Sequence, residues 1–306
     1  MKVEGEKRLM KKFCILFVCL AWSLQTVHAR LYVNEIMASN VLSYENPEGD
    51  YEDWIEIYNS GTSAVNIAGY FLTDDYRGGN YWKIPSTSPS KTTIPANGFL
   101  LLYADGKTEK GPTHLPFQLA KEGEEVVLIS PDGKTIIDSL RYGAQYRDIS
   151  YGRMPDGGQT KGYFDTPTPG AANNQGYATV SETPQLLTAS GFYTGNVLVT
   201  VRASRPGDTL RYTLDGSDPI RTSSRYSGPV SLSNTKVFKV RSFGPNKMPS
   251  PIQVHTFWVN IDHTLPVLSL STDPENLFNP QTGIYVNDGD GRAWERPVEL
   301  EFFENR

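Results

Sequence analysis

Between residues 33 and 105 the chain is cut into short apolar or aromatic runs at 33–40, 53–59, 69–75, 82–85 and 98–105, each closed by Asn, Asp or Pro. Runs this short cannot make the amphipathic stripe of a packed helix, and the residues that end them reverse the chain, so they specify strands of an all-β sandwich. The pattern continues beyond them. The stretch Val126-Val-Leu-Ile-Ser130, then Pro131-Asp-Gly-Lys134, then Thr135-Ile-Ile-Asp-Ser-Leu140 predicts a hairpin, because Asp-Gly readily supplies the positive φ angles of a tight reversal. The prolines in Thr166-Pro-Thr-Pro-Gly-Ala-Ala-Asn173 exclude a central strand and predict an extended exit.

A chain of 306 residues holds about two domains by the usual rule of 100–200 residues each. A small, polar, proline-containing stretch predicts a linker at 174–183. After it, alternating runs at 196–202, 209–214, 227–232 and 236–243 predict a second, smaller antiparallel sandwich over 184–260. A third composition starts near His263. Its last run, Pro297-Val-Glu-Leu-Glu-Phe-Phe303, places Val298, Leu300 and Phe302 on one strand face, with no turn or partner expected after it.

The amino terminus reads as an address. Lys7, Arg8, Lys11 and Lys12 precede the ten-residue apolar run Phe13-Cys-Ile-Leu-Phe-Val-Cys-Leu-Ala-Trp22, which is too short to cross a bilayer, where about 20 residues are needed. Small or aliphatic residues at Val27 and Ala29 predict a signal peptide over 1–29 and a mature chain beginning near Arg30. The rival reading is a lipid anchor at Cys19. Export would leave the chain extracellular, at the cell surface or periplasmic, with no transmembrane span in the mature chain.

Charge and residue types exclude several functions. The formal charge is −5, and without the first 29 residues 24 basic and 32 acidic residues remain, a balance of −8. That balance, with no basic run after Lys12, argues against nucleic acid as a partner. Both cysteines, Cys14 and Cys19, lie in the address segment, so the remainder offers neither a disulfide nor a thiolate site. His28, His114, His255 and His263 are scattered, and Asp288-Gly-Asp-Gly291 lacks the later ligands of a calcium loop. No metal, cofactor or catalytic residue is expected. Asp74, Asp75, Asp215 and Asp218 read as turn formers rather than paired acids. Glu56, between two isoleucines, is expected to face away from them, towards solvent or a buried Arg or Lys. Tyr76, Tyr81 and Trp82 cluster around a glycine-rich turn and are the candidate ligand-binding residues, with core packing as the other reading for Trp82.

Resemblances sharpen this picture. The blocks Asn34-Glu-Ile-Met-Ala-Ser-Asn40, Asp53-Trp-Ile-Glu-Ile-Tyr-Asn59 and Thr166-Pro-Thr-Pro-Gly170 make 31–173 resemble the lamin-tail domain, which implies an immunoglobulin-like β-sandwich. Tyr212-Thr-Leu-Asp-Gly-Ser-Asp-Pro219 with Val237-Phe-Lys-Val-Arg241 makes 184–260 similar to the carboxy-terminal module of chitobiase and hexosaminidase enzymes. Thr272-Asp-Pro-Glu-Asn-Leu-Phe-Asn-Pro280 and Thr282-Gly-Ile-Tyr-Val286 make 265–306 similar to the opening of the spore-coat-protein-H (CotH) kinase family, within a fragment spanning 264–306. The expected fold is two tandem immunoglobulin-like β-sandwiches followed by a truncated β-rich fragment of an α/β kinase-like domain. The expected function is non-catalytic adhesion or scaffolding at the cell surface, with a protein or polysaccharide as partner. The alternatives are the targeting end of a CotH-type kinase and an extracellular DNA-associated module.

Overall fold

The computed structural model describes residues 30–291 and 294–304, so the address segment and both cysteines lie outside the described residues. Those residues divide into two compact units, 30–159 with 166–174 and 160–165 with 175–304. Regular structure among the described residues is nearly all β. Among the described residues the helices are short, chiefly Pro89–Thr92 and Pro274–Phe278.

Unit 1 contains β1 (Leu31–Met37), β2 (Trp54–Asn59), β3 (Val65–Asn66), β4 (Phe71–Thr73), β5 (Trp82–Lys83), β6 (Thr93–Ile94), β7 (Phe99–Tyr103), β8 (Glu125–Ile129), β9 (Ile136–Arg141) and β10 (Ser150–Met154). One sheet runs β10-β1-β2-β7 and the other β5-β4-β8-β9. Leu31, Val33, Ile36, Ile55, Ile57 and Leu102 of the first meet Leu72, Val126, Leu128 and Leu140 of the second in one buried core. Each such side chain, fully buried, contributes roughly 1.5–3 kcal/mol. The 126–140 hairpin forms as expected, with Gly133 at φ 69°. The Asp132 carboxylate accepts from the Lys134 and Thr135 amides at 2.8 and 2.9 Å and fixes the reversal.

The register of β1 changes between Val33 and Glu35. A bulge inserts one residue and so shifts the in–out phase of a strand. Leu31 and Val33 before it and Ile36 after it therefore all reach the core, while Glu35 pairs with Glu56 across β2. Opposite Glu35 on β10 stands Gly152, where an added Cβ would lie 2.4 Å from the Asn34 carbonyl oxygen. Only glycine allows β10 that close.

The two sheets of unit 1 are also tied by charge. Arg153 of β10 donates through Nη2 to both carboxylate oxygens of Asp138 on β9, at 2.9 and 2.8 Å, and through Nε to the Val33 carbonyl at 3.0 Å. Asp138 also accepts from the Val33 amide at 2.8 Å.

Unit 2 contains β11 (Thr160–Phe164), β12 (Gln185–Leu186), β13 (Gly191–Tyr193), β14 (Val197–Val199), β15 (Val201–Arg202), β16 (Thr209–Thr213), β17 (Ser224–Arg225), β18 (Val230–Leu232), β19 (Lys236–Phe243), β20 (Gln253–Val259), β21 (Val267–Ser271) and β22 (Glu299–Phe303). Its main sheet runs β13-β20-β19-β16-β17, and β14 pairs with β18. Val197, Val199 and Leu232 share a core with Leu210, Phe238, Val240 and Phe257. Thr179 and Ser181, read from sequence as linker, are hydrogen-bonded to Met248 within this unit.

The last strand departs from expectation. β22 has a partner, pairing antiparallel with β21 from Val267↔Phe303 to Ser271↔Glu299. One face of this hairpin seats on β20. Thr256 Oγ1 lies 2.8 Å from Ser269 Oγ and donates to Glu301 at 2.6 Å, and Phe303 packs edge-on against Trp258 and Phe192. Leu268, Leu270, Leu300 and Phe302 on the other face are exposed. The partner escaped notice because it lies 28 or more residues upstream.

Replacing Asp138 with alanine strands a buried guanidinium between the sheets, a loss of about 3–5 kcal/mol. Urea unfolding monitored on unit 1 is expected to register it, and a change under about 1 kcal/mol would mean that the pair is not holding the sandwich together.

Candidate functional site

Two places in unit 1 combine unusual chemistry with defined geometry. The first is the turn after β4. Asp75 accepts from the Gly78 amide at 2.8 Å, its carboxylate lying where a Cβ on Gly78 would stand, so a larger residue there would displace this hydrogen-bonded side chain. Gly79 follows at φ 76°, in the left-handed region glycine favours. The closed turn brings Tyr76 and Tyr81 together with ring centroids 5.7 Å apart and planes 9° from parallel. The Tyr81 hydroxyl donates to the Tyr76 carbonyl at 3.1 Å. Tyr76 is 37% exposed, and Arg77 and Asn80 beside it are exposed too.

Trp82, the third candidate residue, lies half-buried against the unit 1 core, with its indole nitrogen buried and unpaired. The turn thus joins Tyr76 and Tyr81 in one ledge and sets Trp82 beneath it as packing.

The second place is a buried polar network on the outer face of the β10-β1-β2-β7 sheet. Glu35 and Glu56, cross-strand partners, are both fully buried. Glu56 accepts from Asn34 Nδ2 at 3.1 Å and from the Gly170 amide at 2.7 Å. Glu35 accepts from the Ser150 hydroxyl, from Thr168 Oγ1 at 2.9 Å and from the Thr168 amide at 3.3 Å. Asp156 accepts from Asn34 Nδ2 at 2.9 Å and from the Asn173 amide at 3.0 Å, and Asn173 Nδ2 reaches the Arg153 carbonyl at 2.8 Å. Glu56 is therefore buried as one reading required, but its partners are neutral amides and a second carboxyl rather than Arg or Lys.

Burial pushes the Glu56 carboxyl up to about 8, with Glu35 and Asp156 raising it further and the Asn34 and Gly170 hydrogen bonds opposing. Burial likewise raises Glu35, against the pull of Ser150 and Thr168. Two adjacent buried carboxyls cannot both ionise cheaply. The network fastens residues 168–173 to the sheet.

Two further acids of the sequence reading have local tasks. Asp215 accepts from Ser217, and Asp218 pairs with Lys239 Nζ at 2.8 Å. Sequence reasoning missed one arrangement. His114 Nδ1 lies 2.8 Å from Asp105 Oδ2, both side chains buried, and the imidazole packs on Tyr103. Nine residues separate the pair, and the Asp105-Gly106 turn was its only trace. No group of three or more His, Cys, Asp or Glu side chains able to hold a metal ion occurs among the described residues. No helix among them is long and apolar enough to cross a membrane.

Comparison with known families agrees with these two units. Residues 25–144 match the family model of the Lamin Tail Domain. Residues 199–257 match the model described as Fn3 associated. No curated protein matches the chain. Both matches are to β-type domains typically without catalysis. The lamin-tail match ends before residues 150–173, so the strand and strap that complete the polar network lie beyond it.

The proton on Glu56 makes stability depend on pH. The folded chain keeps it up to about pH 8, whereas an unconstrained glutamate releases it near 4.5. The contribution is full below 4.5 and is lost as pH rises through 8. Burial also raises Asp53, to about 6, which adds a slope of the same sign. The melting temperature of unit 1 is expected to fall between pH 5 and pH 9 and to fall less in Glu56→Gln; equal slopes in both proteins would contradict the protonated state.

Proposed function

We propose that the chain is an exported, non-catalytic binding protein whose β-sandwich units hold a polysaccharide or protein partner at the cell surface, and that the Tyr76–Tyr81 ledge is a contact for a polysaccharide. The observation that carries this reading is the parallel tyrosine pair, held on an exposed turn by the Asp75–Gly78 hydrogen bond and the left-handed Gly79. Ring faces bind the apolar faces of sugars, and a rigid pair loses little conformational freedom on doing so. Arg77 and Asn80 supply polar groups beside the rings. Lamin-tail and Fn3-associated matches support a binding or scaffolding role. Within this reading, 1–29 is the export signal and 184–260 a chitobiase-type accessory module.

A second reading concerns residues 265–306, taken as the opening of a CotH-kinase-type domain. The exposed apolar side chains Leu268, Leu270, Leu300 and Phe302 support it, since they share a hairpin face of the kind another layer covers.

Protein recovered from the exported fraction, with its amino terminus near Arg30, is expected to be retained on insoluble polysaccharide in a pull-down. Tyr81→Ala should lose that retention while its circular dichroism spectrum stays unchanged. Equal retention of the two proteins would remove the ledge from the binding site.

A further inference from the structure

The module over 184–260 has a charge unlike the rest of the chain. It holds nine Lys or Arg against three Asp, although the chain without its first 29 residues is net negative. The sheet gathers part of this charge. On β16, Arg211 is the direct cross-strand partner of Arg225 on β17 and of Arg241 on β19. Directly opposed residues of antiparallel strands share a face, and neighbouring strands lie about 4.7–4.9 Å apart, so three guanidinium stems stand in one row about 10 Å long. Two residues along β19, Phe243 shares that face, and Arg221 and Arg241 approach its ring at 5.3 and 5.8 Å.

Like charges placed opposite one another destabilise a sheet. Among the described residues Arg211, Arg221, Arg225 and Arg241 form no ion pair. Asp218, whose charge acts on Arg241, is engaged by Lys239, and Asp215 by Ser217. The guanidiniums are instead steadied by carbonyls. Arg211 Nη1 donates to Ser223 O at 2.9 Å, Arg241 Nε to Ser250 O at 2.7 Å and Arg221 Nη2 to Lys247 O at 3.4 Å. Each retains further N–H groups for a ligand. Burial, together with the charge of Arg221, pulls the Arg241 guanidinium below its usual value, with Asp218 opposing.

At the β16–β17 end of the sheet a polar cleft of about 490 Å³ is lined by Thr213, Ser217, Thr222, Ser223 and Ser224, with Lys236 and Asp215 giving it one charge of each sign. Ser223 belongs to both features, since its carbonyl holds Arg211. We infer that the arginine row binds an acidic polysaccharide, with guanidiniums taking its carboxylate or sulfate groups and the hydroxyl residues around Ser223 taking sugar hydroxyls. Arginine presents a planar fork that matches such oxyanions in two parallel hydrogen bonds. A nucleic-acid duplex fits the face less well. Its phosphates carry continuous charge, and a duplex-binding protein makes about 6–10 phosphate contacts, whereas this row holds three arginines.

This surface lies in a different unit from the tyrosine ledge, so the two readings fail separately. The test uses the full chain in affinity electrophoresis through gels containing polygalacturonate, dextran sulfate or neutral dextran, with a 20-base-pair duplex DNA titrated in parallel. The chain is expected to be retarded by at least one of the two acidic polymers and not through this face by neutral dextran, with retardation fading as salt rises. Arg211→Gln/Arg225→Gln should weaken binding to the acidic polymer by about tenfold or more, whereas Tyr81→Ala should leave it unchanged. Removing opposed charges should not lower the melting temperature. If the double variant does melt early, Arg225→Gln alone, at an exposed position with no carbonyl contact, carries the test. Binding equal to that of the unsubstituted chain in the variants, no retardation by either acidic polymer, or tighter binding to DNA than to both would each overturn the inference.

Discussion

The sheet centre of unit 1 depends on two glutamates that no cation among the described residues neutralises. A carboxylate buried alone is among the costlier groups a fold can contain. Here the cost is met by retaining a proton and by converging neutral donors, Asn34, Ser150, Thr168 and the Gly170 amide. The β1 bulge aims Glu35 outward while keeping Ile36 in the core, and Gly152 lets β10 close over the same spot. Residues 168–173, barred from the sheet by their prolines, become a strap that finishes this outer face. The remaining outer face is aromatic. Met37, Trp54 and Tyr103 fill one end, and Tyr32, Tyr58 and Phe99 stack at the other.

Much of this was legible in the sequence wherever cause and effect were local. The hairpin at 126–140 follows from alternation and Asp-Gly, and the extended exit from two prolines. What could not be read depends on register. The donors to Glu56 come from 22 residues before it and 114 after it, and nothing in Trp54-Ile-Glu-Ile-Tyr58 tells an amide partner from an arginine. The arginine row is hidden in the same way. Residues 211, 225 and 241 are no basic run, and they meet only because β16 lies between β17 and β19. The tyrosine turn was readable because its glycines and rings are contiguous. That its rings stack together while Trp82 turns inward was not.

The two candidate surfaces divide recognition by chemistry. The ledge of unit 1 offers flat apolar rings fixed by a glycine turn and suits contact that salt leaves largely unaffected. The face of unit 2 offers oriented positive charge beside hydroxyls and suits contact that salt weakens. Two weak sites of different character on one chain can hold a polymer more firmly than either does alone. Neither requires a catalytic group, which fits the local structural tasks found for Asp75, Asp215 and Asp218.

The central claim is that the buried carboxyl network of Glu35, Glu56 and Asp156 fastens the 168–173 strap as firmly as the strands beneath it. Native-state hydrogen exchange at pH 6 tests it most directly, through the amides of Thr168, Gly170 and Asn173. The account predicts opening free energies for these three close to those of the β1–β2 amides. Exchange at the rate of an unstructured loop, with β1 and β2 still protected, would contradict it.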